Sequence, residues 1–358
     1  MLTSGPVYDG LIFNTYLQYN STYYAYEDAS STPCSVTVPG FNSLGLMITY
    51  LIVFIFSMAG NSVVIYVFCF VTKARTRTDI YLMHLAIADL LFSLTLPFIA
   101  IDAHYGWVFG NFLCKVLSGL QEASVYSSVF LLACISVDRH LAIVRATRVV
   151  LTHHLLVKVN CVVVWVAAGL LSIPVAIQRA SMHAEDLGQT ICYENLIGES
   201  SNQWHIIMHI LRHTLGFFLP LVVMTICYSW TLATLLRTRN QQKHKAIRVI
   251  LAVVIAFVLC WLPYNVTVLI NILMRSGALE VETCETWYRV EVARNVTQVL
   301  AFTHCVVNPV LYAFIGQKFR NQLLSTLYRH GLISKRLVDS MPHRCEAVIK
   351  NCGHTTKY

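Results

Sequence analysis

Charge is scarce in this sequence. Only 12% of its 358 residues are Asp, Glu, Lys or Arg, against roughly 25% in soluble domains, while 56% are hydrophobic and the mean hydropathy is +0.60. That balance excludes an ordinary soluble chain. Lysine and arginine are absent from the first 72 residues. Residues 1–40 therefore offer neither the basic start nor the early apolar core of a cleavable signal peptide, and the first apolar span doubles as an uncleaved signal-anchor. Also missing are a phosphate-cradling glycine loop, a His-Glu-x-x-His zinc pattern and a Gly-x-Ser-x-Gly elbow, which argues against an enzyme. The 14 histidines are scattered, and His153-His154 in a basic loop reads as solvated rather than metal-binding. No repeat relates the two halves as the inverted symmetry of a transporter would.

What is present is a set of seven apolar windows, each about 20 residues or longer, enough to cross a hydrocarbon core of about 30 Å. They centre on residues 44–72, 80–101, 116–144, 159–178, 213–236, 249–274 and 295–316. Asp89 in the second and Glu122 in the third are tolerable if they face the bundle interior. Lys73, Arg75 and Arg77 follow span one, Arg145, Arg148 and Lys158 separate spans three and four, and Arg237, Arg239, Lys243, Lys245 and Arg248 separate five and six. By the positive-inside rule the amino terminus lies outside and the tail inside. The net charge of +8 is then a topology signal, and no nucleic-acid partner is invoked.

Residues 1–43 form an acidic segment rich in tyrosine, including Tyr24 and Tyr26 beside Glu27-Asp28, with a glycosylation acceptor at Asn20. Such a segment buries too little apolar surface to fold alone and suits a basic partner. The acceptors at Asn265 and Asn295 fall inside spans and read as chance. Of 12 cysteines, six lie within spans, Cys345 and Cys352 lie on the inner side, and Cys34, Cys114, Cys192 and Cys284 lie on the outer side, where three pairings are open.

Interior polar residues recur at Asn61, Asp89 and Asn308 with Tyr312, either as packing contacts or as an ion and water site. Prolines interrupt five spans, at Pro97, Pro174, Pro220, Pro263 and Pro309, each removing a backbone donor. Ahead of Pro263, Phe257 and Trp261 stand one turn apart, where a ligand pressing on Trp261 could swing the inner half of the span. Asp138-Arg139 ends span three as a charged pair that is costly near hydrocarbon and so reads as a device. Phe319, Leu323, Leu324 and Leu327 make 317–328 an amphipathic surface helix, followed by a tail, 329–358.

Together Asn61, Leu85 with Asp89, Cys114, Asp138-Arg139, Trp165, Pro220 with Tyr228, Trp261 with Pro263, and Asn308-Pro309 with Tyr312 resemble a rhodopsin-like G-protein-coupled receptor. The fold class is thus an all-α membrane protein: a seven-transmembrane helix bundle, residues 44–316, with a short membrane-surface helix after it. Thr95-Leu96-Pro97, Trp107-Val108-Phe109-Gly110 and Asp138 to Val144 are similar to chemokine receptors. Leu131 to Arg139, Cys260 to Asn265 and Tyr312 to Gln317 resemble the interleukin-8-type CXC chemokine receptors.

The resemblance implies two disulfides, Cys114 with Cys192 and Cys34 with Cys284, and a basic CXC chemokine as ligand. It also implies a heterotrimeric G protein of the inhibitory class, neutrophil chemotaxis from the plasma membrane, and arrestin as a further partner. It places ligand contacts at Tyr24, Tyr26, Glu27, Asp28, Asp102, Tyr126, Arg179, Arg212, Tyr264, Arg275, Glu291 and Gln298. Arg212 and Arg275 are suited to acidic groups near the ligand's amino terminus, because guanidinium binds carboxylate bidentately; snorkelling to the headgroups is the alternative. Outer-loop acids, among them Glu185, Asp186, Glu194 and Glu285, would steer a cationic ligand. The switch residues are Asp138, Arg139, His140, Tyr228, Trp261, Pro263, Asn308, Pro309 and Tyr312. Asp89, Ser128 and Asn308 resemble the family's inner sodium site; otherwise no cofactor is expected.

The chain departs from the pattern in several places. His140 replaces the usual Tyr, and His205 and His209 stand for two arginines at the entrance to span five. Gln298 replaces a Glu, Ile99 a Trp, and His304 a polar amide. His140 keeps a rival alive, a scavenging receptor without G-protein signalling.

Overall fold

The computed structural model describes residues 43–72, 76–144, 153–184, 188–195, 201–236, 241–276, 278–279 and 284–329. Seven of its helical stretches are long and apolar enough to cross a membrane: Ser43–Val71, Arg77–Tyr105, Gly110–Ala142, Leu155–Gln178, Ile206–Thr234, Ile250–Met274 and Glu285–Ile315. Their burial pattern is inverted relative to a soluble protein. Ile55, Phe56, Phe70, Val162, Leu259 and Phe314 point outward, whereas Ser57, Asn61, Asp89, Ser93, Ser128 and Asn308 are buried. Apolar side chains cost nothing against lipid, so polar groups are what the bundle must enclose.

Span one is α1, Ser43–Tyr66, continued by a π-helical turn, Val67–Val71. Span two is two helices, α2, Arg77–Ser93, and α3, Leu96–Tyr105. A capping box starts α2: Asp79 N–H donates to Thr76 Oγ1 at 3.2 Å, and Thr76 N–H donates to Asp79 Oδ2 at 2.8 Å. The ladder breaks just ahead of Pro97, where the Thr95 hydroxyl takes the Phe92 carbonyl at 2.7 Å. Span three is one helix, α4, Gly110–Val144, and span four is α5, His153–Gln178. An antiparallel hairpin follows, β1, Arg179–Ala184, and β2, Gln189–Glu194, with Arg179 opposite Glu194. Span five is α6, Ser201–His213, a π-helical turn over Thr214–Phe218, and α7, Leu219–Leu236. Span six is α8, Gln241–Arg275. Span seven is α9, Cys284–Phe302, and α10, His304–Ile315, and α11, Gln317–Arg329, packs beyond it.

Pro309 shows why these polar positions matter. It has no N–H to give the Cys305 carbonyl four residues earlier. Asn61 Nδ2 donates to that carbonyl instead, at 2.8 Å, with the Ser57 hydroxyl at 3.4 Å. Gly60 permits the approach, because a Cβ there would stand 2.9 Å from Pro309 Cβ. One proline thus ties span one to span seven.

Several helices run farther than the apolar windows suggest. α4 begins at Gly110 rather than near 116, α6 at Ser201 rather than 213, and α9 at Cys284 rather than 295. The added turns carry Lys115, Arg212, and Glu285, Arg289, Glu291 and Arg294, so a window kept free of charge leaves them out. Prolines also differ in effect: a break precedes Pro97, a π-helical turn precedes Pro220, and Pro174, Pro263 and Pro309 sit inside helices, the break in span seven lying at Thr303, six residues ahead of Pro309.

Candidate functional site

The hairpin lies across one end of the bundle. Cys192 on β2 is disulfide-bonded to Cys114 near the start of α4, with Cα atoms 5.7 Å apart. Trp107 N–H donates to Thr190 O at 2.7 Å, and Asn111 Oδ1 accepts from Ser181 N–H at 3.0 Å. The hairpin is therefore pinned to spans two and three. Cys34, the partner expected for Cys284, lies outside the described residues, as does the Cys284 side chain.

Beneath the hairpin opens a cavity of about 1070 Å³, counting the open space at its mouth. Of the expected ligand contacts, Tyr126, Arg179, Arg212, Tyr264 and Gln298 line it. Asp102 shares with Arg179 a smaller pocket against Thr95, Ile99 and Trp107. Glu291 is paired with Arg294, which lines the cavity. Tyr24, Tyr26, Glu27, Asp28 and Asn20 lie outside the described residues, as does the side chain of Arg275.

Charges in the cavity are met in pairs. Arg212 on α6 forks onto Glu122 on α4, Nε reaching Oε1 at 2.5 Å while Nη2 bonds Oε2. This is the bidentate geometry expected of guanidinium and carboxylate, but the carboxylate is the protein's own. Arg212 therefore points into the bundle and does not snorkel. Arg294 forks onto Glu291 in the same way, Nε to Oε2 at 3.1 Å with Nη2 on Oε1. Glu194 is not a solvated rim acid. It is 5% exposed, with Oε2 3.3 Å from His209 Nε2. The sequence flagged Glu122 and Arg212 separately. Opposite charges at similar depth on two spans were the signal that they meet.

The floor is aromatic. Gly216 leaves room for the Tyr126 ring, which a Cβ at that position would strike. His213 Nδ1 donates to Asn265 Oδ1 at 2.7 Å, and Asn265 Nδ2 donates to the Trp261 carbonyl at 2.9 Å. Trp261 packs on Phe257, Tyr264 and His304, with its centroid 5.2 Å from the imidazole. His304 Nδ1 donates to Ala301 O at 2.7 Å, and its Nε2 stands 3.6 Å from Asp89 Oδ1. Asn308 Nδ2 holds the other carboxylate oxygen at 2.7 Å, and Ser128 interacts with the same carboxyl. Asp89 Oδ1 makes no hydrogen bond among the described residues. An open carboxylate oxygen beside a hydroxyl fits a small hard cation, with the imidazole as a third wall.

At the opposite end of the bundle, Asp138 is shared by two arginines. Arg77 Nη1 reaches Oδ1 at 2.8 Å, and Arg139 reaches Oδ2 through Nη2 at 2.5 Å and Nε at 3.2 Å. His140 Nδ1 stands 3.3 Å from Thr231 Oγ1, and its ring stacks on the exposed Trp230 at 5.7 Å. Tyr228 is buried; Tyr312 is buried against Phe319 of α11. The Thr72 hydroxyl donates to Gln322 Oε1 at 3.0 Å, fastening α11 to span one. Sequence reasoning missed Arg77, whose only signal was its position one turn before the start of span two.

Residues 60–312 match the family profile described as "7 transmembrane receptor (rhodopsin family)". C-X-C chemokine receptor type 2 of Homo sapiens is 44% identical over 328 residues, which cover 91% of this chain and 89% of that receptor. The type 2 receptor of Oryctolagus cuniculus is 45% identical over 326 residues, 91% and 90%. C-X-C chemokine receptor type 1 of Homo sapiens is 45% identical over 311 residues, 87% and 88%.

Proposed function

The chain belongs to the rhodopsin family of seven-transmembrane receptors and, within it, to the CXC chemokine receptors, and on that footing we propose that it senses a basic CXC chemokine outside the cell and activates a heterotrimeric G protein inside. The observation that carries this reading is the arrangement of opposite ends: a cavity roofed by a pinned hairpin, and at the far end Arg139 held by a carboxylate that Arg77 also claims.

In this reading the acidic amino-terminal segment, with Tyr24, Tyr26, Glu27 and Asp28, captures the basic ligand, and opposite charge steers the encounter. Sulfation of those tyrosines would sharpen the attraction. The ligand's tip then enters the cavity, contacting Asp102, Tyr126, Arg179, Arg212, Tyr264, Arg275, Glu291 and Gln298. Because Arg212 is already met by Glu122, an acidic tip takes that guanidinium by exchanging with a carboxylate rather than by filling an open site. Disturbance at Tyr126 and Trp261 passes through the His304 contact to Asp89 and Asn308, and releases the inner half of span six. Arg139 then leaves Asp138 for the G protein. The ligand must bind the two states differently by a few kcal/mol for this to operate. Asp89 and Ser128 with Asn308 would hold a sodium ion, which supplies positive charge beside the Asp89 carboxyl when bound.

The G protein is of the inhibitory class and the outcome is leukocyte chemotaxis, with arrestin ending the signal. The test is a panel of CXC chemokines on cells expressing the chain, measuring loss of cyclic AMP alongside ligand uptake. Chemokine-evoked loss of cyclic AMP supports signalling. Uptake without it supports the scavenging reading, which His140 in place of Tyr favours, and overturns the proposal.

A further inference from the structure

A second cavity, of about 460 Å³ counting the open space at its mouth, lies between spans four and five. Leu171, Pro174 and Val175 of α5 form one wall, and Met208, Leu211 and Leu215 of span five form the other. Leu211 is 47% exposed on a membrane-spanning stretch, so the slot between these walls opens toward lipid. α5 packs along α4, whereas among the described residues it has no comparable packing against α6 or α7, which leaves the slot unclosed.

Polarity is graded along the slot. Gln178 at the end of α5 and Glu194 at the end of β2 stand at the hairpin end, with His209 beside them. Leu171 lies seven residues from Gln178, about 10 Å along the helix, and there the lining is apolar. A lipid of the leaflet on the hairpin side meets that gradient in its ordinary orientation, with its head at the interface and its apolar body toward the bilayer centre.

The head that fits is neutral. Arg212 is met by Glu122 through Nε and Nη2, and Glu194 faces His209, so an added ion of either sign would carry an uncompensated charge into the slot. A hydroxyl both donates and accepts without charge. Arg212 Nη1 makes no hydrogen bond among the described residues, and its side chain keeps 24% exposure, so it can donate to a hydroxyl whose proton goes to the Gln178 amide oxygen. A sterol carries one hydroxyl on one rigid apolar body and loses little conformational freedom on entering.

We propose that a membrane sterol occupies this slot, its hydroxyl between Arg212 and Gln178 and its body against Leu171, Pro174 and Leu215. Tyr126, Val175, His209 and Arg212 line both this slot and the main cavity, so the sterol shares a wall with the cavity without entering it.

The test places purified full-length receptor in phosphatidylcholine vesicles carrying a photoactivatable cholesterol, with a photoactivatable phosphatidylcholine as the second arm, and maps the labelled peptides by mass spectrometry. Sterol label should concentrate on residues 171–178 and 208–215, and unlabelled cholesterol should compete it away. Leu171→Trp fills the slot and should cut the label about tenfold, whereas Gln178→Leu, which keeps the apolar walls, should cut it about threefold. Leu170→Trp, at a 61% exposed position outside the slot, should leave it unchanged. Competition on the wild type needs no variant to fold. Sterol label spread evenly over the lipid-facing helices, label unchanged in Leu171→Trp, or equal labelling of the slot by the phosphatidylcholine probe overturns the site.

Discussion

At the hairpin end, among the described residues, two arginines fork onto acids, Arg212 onto Glu122 and Arg294 onto Glu291, while Arg179 shares a pocket with Asp102. At the far end two arginines, Arg77 and Arg139, share the one carboxylate of Asp138. In the two forked pairs each guanidinium is already met, and an acidic ligand group reaches it only by exchange with a carboxylate. The far end has a cation in excess, held in place but not neutralised alone. A binding site gains specificity from closed pairs, because a wrong partner leaves a charge unmet. A switch gains from a shared partner, because either arginine can leave without stranding the acid.

The comparison breaks most easily at Glu122. Removing one member of a buried ion pair costs about 3–5 kcal/mol, and the lower figure applies here because the Arg212 side chain keeps 24% exposure. Glu122→Ala should lower the melting temperature of purified receptor by roughly 6 °C or more. Adding Arg212→Leu should restore most of that loss. Additive losses in the double variant would mean that the pair does not act as one.

Asp138→Asn probes the other end. Replacing the shared carboxylate by an amide weakens two charge-assisted bonds, and ligand-independent nucleotide exchange should rise about tenfold, equivalent to about 1.4 kcal/mol in the resting equilibrium. Exchange at the resting level would show that Asp138 does not restrain Arg139. The smallest effect belongs to His140, whose contacts are an exposed ring and a 3.3 Å polar contact. His140→Tyr should change chemokine-evoked exchange by no more than about threefold. A much larger gain would identify His140 as the residue that silences coupling.

The bundle was legible because hydrocarbon imposes a plain rule, and each of the seven apolar windows overlaps one of the seven spans, overrunning it by two residues at most. Cys114–Cys192 followed from family resemblance rather than spacing, since four outer cysteines permit three pairings. The hairpin was not legible: Arg179–Ala184 and Gln189–Glu194 are short, and their pairing depends on Trp107 and Asn111 from distant parts of the chain. Side-chain partners were hardest. Glu194 read as a loop acid until the hairpin placed it against His209, and Arg212 read as open to a ligand until helix packing brought Glu122 to it. Such pairings depend on the rotation of one helix relative to another, which periodicity within one helix does not specify.

The most direct measurement is nucleotide exchange on a heterotrimeric G protein, in membranes carrying wild-type receptor or Arg139→Ala, with bound chemokine measured on the same membranes. Wild type should exchange on chemokine addition, and Arg139→Ala should bind the chemokine with unchanged affinity and evoke no exchange. Normal exchange in Arg139→Ala would contradict a switch built on the release of that arginine from Asp138.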